Sequence, residues 1–183
     1  MTIRPTIIPI AAVSGGGKTT ITKKLGHKLK NSKELFFDDY DFEDSPEDLF
    51  NWVKEGADYN LWNLEPMLSD IDFLINSKEA PSYVFLDYPF SYKNDRMKKH
   101  IDHSIYIDTP LDVAMARRLT RDYKNNSITE IHNDLNFYLK YGRIAYLEME
   151  STIKPNSDTV IDGTFSPDKI VELIIKEIRD RGL

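Results

Sequence analysis

The sequence predicts an α/β fold in three layers: a five-stranded parallel sheet flanked by helices. Three observations carry this. Short apolar runs alternate with segments of helical period along all 183 residues, the pattern of strand–helix–strand units. The runs are apolar throughout, as expected of strands buried on both faces. A glycine-rich stretch ending in Lys18-Thr19 follows directly on the first run, where such folds turn from strand into helix.

The strands are expected at Ile7–Val13, Glu34–Asp38, Tyr83–Asp87, Ser104–Asp108 and Thr159–Asp162. Pro9 cannot donate to a central ladder, so ordered pairing starts at Ile10 or the chain bulges at Pro9. Helix starts are marked by Ser45-Pro46, Thr109-Pro110 and Ser166-Pro167, each an N-cap hydroxyl followed by proline at the first helical position. Ser127 and Glu130 have capping-box spacing at the head of a longer helix. Beyond them Ile128, Ile131, Leu135, Tyr138, Gly142, Ala145 and Met149 recur in steps of three and four, which predicts one buried stripe. The last helix, Pro167 to about Arg181, is expected to bury Ile170, Val171, Ile174, Ile175 and Ile178.

Composition bounds the function. The chain is 40% hydrophobic and 30% charged, as in ordinary globular proteins. No repeat, linker or low-complexity stretch divides it, so one domain is expected over residues 1–183. No apolar run approaches the roughly 20 residues that span a bilayer. Arg4, Pro5 and Pro9 interrupt the N-terminal stretch, which therefore lacks a signal peptide's core. The absence of cysteine excludes disulfides and thiolate metal sites and is compatible with a cytoplasmic location. The four histidines have no metal-motif spacing. With 24 basic against 30 acidic residues the net charge is −6, the opposite balance to a nucleic-acid binder. The expected partner is a small molecule, with neither nucleic acid nor membrane; a homodimer is compatible with the sequence.

The segment Ala12-Val13-Ser14-Gly15-Gly16-Gly17-Lys18-Thr19 fits the phosphate-binding pattern G-x-x-x-x-G-K-[ST], except that Ala12 stands at the first glycine. Glycines let the backbone wrap phosphate oxygens and turn N–H groups inward. Lys18 can reach the β- and γ-phosphates, the Thr19 hydroxyl can ligate Mg²⁺, and the following helix adds its positive end. Ser14, Gly15, Gly16, Gly17, Lys18, Thr19 and Thr20 are thus the candidate residues for ATP and Mg²⁺. No Asn-Lys-x-Asp string for guanine recognition occurs.

The acceptor side is expected at the ends of neighbouring strands. Asp38 and Asp39 follow the second strand, where a carboxylate can take the proton of an attacking hydroxyl. Asp87 ends the third strand after a run of apolar residues, a placement that suits a ligand of Mg²⁺, with Thr19 and Asp39 as the other candidates. Arg117, Arg118 and Arg121 sit near the end of one predicted helix, able to bring guanidinium groups to a transferring phosphoryl. The polar stretch Tyr123–Ser127 after them reads as a lid, bounded at about 118–128.

In these residues the chain resembles the group of P-loop kinases that holds uridine kinases, nicotinamide riboside kinases and phosphoribulokinases. The similar parts are Ser14–Thr20, Asp38-Asp39-Tyr40, Asp87, Arg117–Asp122, Phe137–Tyr141, Ile153-Lys154-Pro155 and Asp158–Asp162, in order over most of the chain. The resemblance implies the three-layer P-loop NTPase fold of nucleoside-kinase type and transfer of the ATP γ-phosphoryl to a hydroxyl. It implies Asp38 as catalytic base, Asp87 at the acidic metal-side position, where the group usually carries Glu, and Lys18, Arg118 and Arg121 acting on the phosphates. An acceptor-binding insertion is expected at about 45–77. Tyr40, Trp52, Tyr59 and Trp62 are candidates to hold the acceptor, with Arg96 able to reach in. Two rivals stand: a nucleoside monophosphate kinase, and an ATP-binding switch with no small-molecule acceptor. Charge separates the first. Between Asp38 and Asp72 there are twelve acids, one lysine (Lys54) and no arginine, a surface that repels an acceptor already carrying phosphate.

Overall fold

Five strands make one all-parallel sheet: β1 (Thr6–Ala11), β2 (Ser32–Phe36), β3 (Tyr83–Asp87), β4 (Ile105–Asp108) and β5 (Thr159–Asp162), in the order β2-β3-β1-β4-β5. The computed structural model describes residues 4–124 and 126–183. Its α-helices are α1 (Lys18–Lys28), α2 (Leu49–Lys54), α3 (Glu65–Asn76), α4 (Leu111–Asp122), α5 (Ile128–Phe137), α6 (Arg143–Glu148) and α7 (Pro167–Arg181). None of them is long and apolar enough to cross a membrane.

Strand side chains alternate between the two faces. On one face Ile8 and Ile10 of β1 and Phe85 of β3 join Ile21 and Leu25 of α1 and Ile170, Val171, Ile174 and Ile178 of α7. On the other, Ile7, Ala11, Val84 and Leu86 join Trp52 of α2 and Met67, Leu68 and Ile71 of α3. Ile175, expected in the core, is only half-buried at its rim. These two cores fix the strand ends that carry the site. Asp87 is level with Ile10 on one side and Phe36 on the other, so the C-terminal ends of β1, β2 and β3 lie together.

Pro9 is accommodated without a bulge, and β1 pairs continuously with β3 from Thr6↔Tyr83 to Ile10↔Asp87. The Ile10 carbonyl turns to the β3 side and accepts from Tyr88 N–H at 3.3 Å. The Ile7 carbonyl turns the other way and accepts from Asp102 N–H at 3.0 Å. By that alternation Pro9 faces the β4 side, where pairing begins only at Ile10↔Ile105. Its missing N–H therefore costs no ladder bond. At its other end β1 stops at Ala11 rather than Val13. The second strand ends at Phe36, because Phe37–Asp39 forms a 3-10 turn.

Two helix starts differ from the sequence expectation. α2 begins three residues beyond Ser45-Pro46, capped by Asp48, whose carboxylate accepts from Phe50 N–H and Asn51 N–H at 3.1 Å. At α4 Pro110 stands at the cap itself, and Thr109 points elsewhere. The Ser127–Glu130 capping box and the Ser166 cap form as expected.

The largest departure is the stripe after Ser127. The chain stays helical from Ile128 to Ile153, but wide π-turns at Tyr138–Gly142 and Met149–Ile153 interrupt the α-helical period. Ile131, Leu135, Tyr138, Gly142, Ala145 and Met149 still fall on the less exposed face, but all are half-buried rather than in the core. Ile128 is 74% exposed, and between it and Thr152 no residue is buried.

Candidate active site

The loop after β1 is shaped by its glycines. Gly15 and Gly17 have φ of 80° and 103°, values that side chains with a Cβ rarely adopt. Gly16 N–H closes a turn onto the Val13 carbonyl at 2.8 Å, and α1 begins at Lys18 with its N-terminal amides at the loop. Residues 15–20 line a cavity of about 690 Å³, together with Asp38, Arg117, Arg121, Gly163, Phe165, Pro167 and Ile170.

Behind the lining residues Lys18 and Thr19 stands Asp87, not itself part of the cavity wall: Thr19 Oγ1 donates to Asp87 Oδ2 at 2.5 Å, and Lys18 Nζ lies 3.5 Å from Asp87 Oδ1. Asp87 is 2% exposed. Burial pushes its carboxyl above the ordinary range and the Asp38 charge adds to this, while Lys18 and Thr19 oppose it. Asp87 Oδ1 is buried with no hydrogen-bond partner. A hydroxyl and a buried carboxylate, whose Oδ1 faces only the Lys18 ammonium, are hard oxygen donors of the kind that hold Mg²⁺ beside phosphates. Asp38 joins this cavity because the 3-10 turn follows β2. Asp39, one residue on, is not among the lining residues.

α4 delivers its arginines to two places. Arg117 donates to the Gly163 carbonyl at 3.2 Å. Arg121 donates to the Asp122 carboxylate, which with the Asp38 charge holds its guanidinium more firmly protonated. Arg118 turns away and pairs with Asp134. That pair lines a second cavity of about 900 Å³, with Ser14 of the loop, Glu47, Asp48 and Phe50 before and in α2, and Phe137, Tyr138, Tyr141 and Tyr146 of the long helical segment. Phe50 and Tyr141 meet edge-to-face at 5.2 Å.

The aromatic candidates lie elsewhere. Tyr59 is 5% exposed, packs against Trp52 and Phe90, and donates to Glu148 at 3.1 Å. Tyr40 donates to Asp70 at 2.8 Å, and Trp62 packs on Phe37 and Phe90. Arg96 is paired with Glu65. Tyr40, Trp52, Tyr59, Trp62 and Arg96 line neither cavity. The predicted lid begins inside α4, which runs to Asp122, and Asn125 within it lies outside the described residues.

No family model matches the chain. A uridine kinase of Staphylococcus epidermidis is 28% identical over 203 residues, covering 95% of each chain. One from Staphylococcus aureus is 29% identical with the same coverage. A sugar kinase of known structure from Janibacter superposes with a TM-score of 0.57 at 16% identity, over 94% of this chain and 93% of the other. The chain is a P-loop kinase resembling uridine kinases. The sequence relatives carry the resemblance to uridine kinases; the structural neighbour carries the fold.

Within this kinase, Glu47, Phe50, Asp134, Tyr141 and Tyr146 in the second cavity, and Phe165 in the first, were not picked out from sequence. Tyr141 lay within the Phe137–Tyr141 stretch that carries the resemblance, Tyr146 in the same run of aromatics, and Glu47 in the acidic stretch between Asp38 and Asp72; Phe50, Asp134 and Phe165 gave no signal.

Proposed function

We propose that this kinase transfers the γ-phosphoryl group of Mg-ATP to a hydroxyl of a small acceptor that carries no phosphate, a nucleoside or nucleoside-like molecule. The observation that carries the reading is the pairing of two cavities. One has a glycine loop, Lys18 and Arg121; its neighbour, reached at Ser14 and Arg118, is walled by aromatics and rimmed by Glu47, Asp48 and Asp134. Flat aromatic walls suit a base or other ring. Three carboxylates against one arginine, itself paired to Asp134, disfavour an anionic acceptor. In this reading 47–51 of the acceptor segment and Arg118 of the lid segment of a single domain form the acceptor site.

The step rests on these placements. The acceptor oxygen forms a bond to the γ-phosphorus while the bond from that phosphorus to the β,γ-bridging oxygen breaks, and ADP leaves. Asp38 takes the acceptor proton as the oxygen attacks. Lys18 and Arg121 offset the charge on the transferring oxygens, and the loop amides hold the β-phosphate. Thr19 and Asp87 are the residues that would hold Mg²⁺, which when bound would supply charge neutralisation to the phosphates. The test is acceptor-dependent ADP release over nucleosides, sugars, vitamins and nucleotides. Release stimulated by a nucleoside supports the proposal; ATP binding with no acceptor stimulating release overturns it in favour of a switch.

A further inference from the structure

Thr109 lies between β4 and α4, outside the glycine loop. Its place before Pro110 suggests a helix cap, but Pro110 occupies the cap and the threonine side chain makes no cap bond. Instead the residue is 2% exposed, and its hydroxyl donates to the Gly16 carbonyl at 2.9 Å. Two glycines make room for this contact. A Cβ at Gly163 would lie 1.9 Å from Thr109 Oγ1 and 2.9 Å from its Cα. A Cβ at Gly15 would lie 2.1 Å from the Ala114 carbonyl oxygen in α4. The loop is thus pressed against the first turns of α4 and tied there by the Thr109 hydroxyl.

We propose that Thr109 is a positioning residue for the phosphate donor, fixing the Gly16–Gly17 peptide so that the Gly17 N–H turns into the donor cavity. The inference rests on the donor half of the proposed function. A trans peptide is planar, with its C=O and N–H pointing in opposite directions. Holding the Gly16 carbonyl on Thr109 therefore sends the Gly17 N–H away from α4. The two ends of this peptide are held differently: a Cβ at Gly16 would lie 2.8 Å from both Ala12 Cβ and the Val13 carbonyl oxygen, whereas a Cβ at Gly17 would meet no atom within 4 Å, and the Gly17 φ is 103°. On the open Gly17 side glycine places little restraint on the turn of the peptide plane, and the Thr109 bond removes that freedom. The same bond keeps the loop in a fixed relation to Arg117 and Arg121 on α4. Gly163, which seats Thr109, also accepts the Arg117 guanidinium on its carbonyl at 3.2 Å.

Three variants separate the hydroxyl from the packing. Thr109→Val keeps the volume and removes the donor, Thr109→Ser keeps the donor and removes a methyl, and Thr109→Ala removes both. MgATP affinity by titration calorimetry and Tm are measured for each and for the parent. The expected result is affinity about tenfold weaker in Val and Ala and restored to within about twofold in Ser, so that affinity follows the hydroxyl and not Tm. The inference is overturned if Val binds MgATP like the parent, or if Ser loses as much affinity as Ala. Failure of the parent chain to bind MgATP overturns the donor reading and this inference together. Parent binding with an unaltered Val variant overturns the inference alone.

Discussion

The glycine loop and the helical segment from Ile128 to Ile153 line neighbouring cavities and are built in opposite ways. The loop sits on a buried central strand: Ala12 and Val13 are almost fully buried, and Thr109, Val13 and Ala114 press on its backbone from three directions. The helical segment has no buried residue before Ile153, and its cavity face is made of half-exposed tyrosines and one phenylalanine. Phosphate is bound by backbone, which must be held before the ligand arrives. In the proposed function the acceptor is met by side chains on a segment with little core of its own, and such segments open at low free-energy cost. The donor side is therefore expected to fail sharply under mutation, and the acceptor side by degrees.

Lys18→Ala should be the most severe change, lowering turnover by about a thousandfold with the fold retained; steady-state ADP release and circular dichroism check it. Parental turnover would remove the loop from the donor site. Asp38→Asn should lower kcat by roughly a hundredfold or more and leave MgATP affinity nearly unchanged. Asp39→Asn should be mild, since Asp39 does not line the donor cavity. A dead Asp39→Asn beside an active Asp38→Asn would exchange their roles.

The arginines test the division itself. Arg121→Ala should cost about a hundredfold in kcat. Arg118→Ala should instead raise the acceptor KM by about tenfold, because Arg118 lies with Asp134 in the second cavity. If both variants lose kcat alike, the two cavities are one functional unit.

The smallest effect concerns stability. Burial raises the Asp87 pKa above its unfolded value, so its ionisation opposes folding. Stability from this group is complete below about pH 4, the ordinary Asp value, and is lost as pH rises through the folded pKa. Asp87→Asn should therefore raise the Tm of the nucleotide-free chain at neutral pH while abolishing Mg²⁺-dependent turnover. A lowered Tm would mean that the Lys18 and Thr19 contacts outweigh desolvation.

The same contrast explains what could be read from sequence. The strands and glycine loop were legible because their signals, apolar runs and glycines at required φ, are backbone requirements with few alternatives. Tyr83–Asp87 and Thr159–Asp162 were placed to the residue. The second cavity was not legible. Ile131, Leu135 and Tyr138 have the spacing of a core stripe, and spacing alone does not tell a half-buried face beside a cavity from a fully buried one. Nor does it tell an aromatic lining a cavity, such as Tyr141, from one in the core, such as Tyr59. Thr109 shows a third case: a sound local pattern, hydroxyl before proline, was overridden by a buried carbonyl 93 residues away in the chain.

The central claim is that the second cavity takes an acceptor without phosphate. The direct measurement is kcat/KM for nucleosides paired with their own 5′-monophosphates, at fixed MgATP. The account predicts a higher value for the free nucleoside in every active pair, since Glu47, Asp48 and Asp134 face the acceptor with Arg118 already paired. Higher kcat/KM for the monophosphates would contradict it and make the chain a monophosphate kinase.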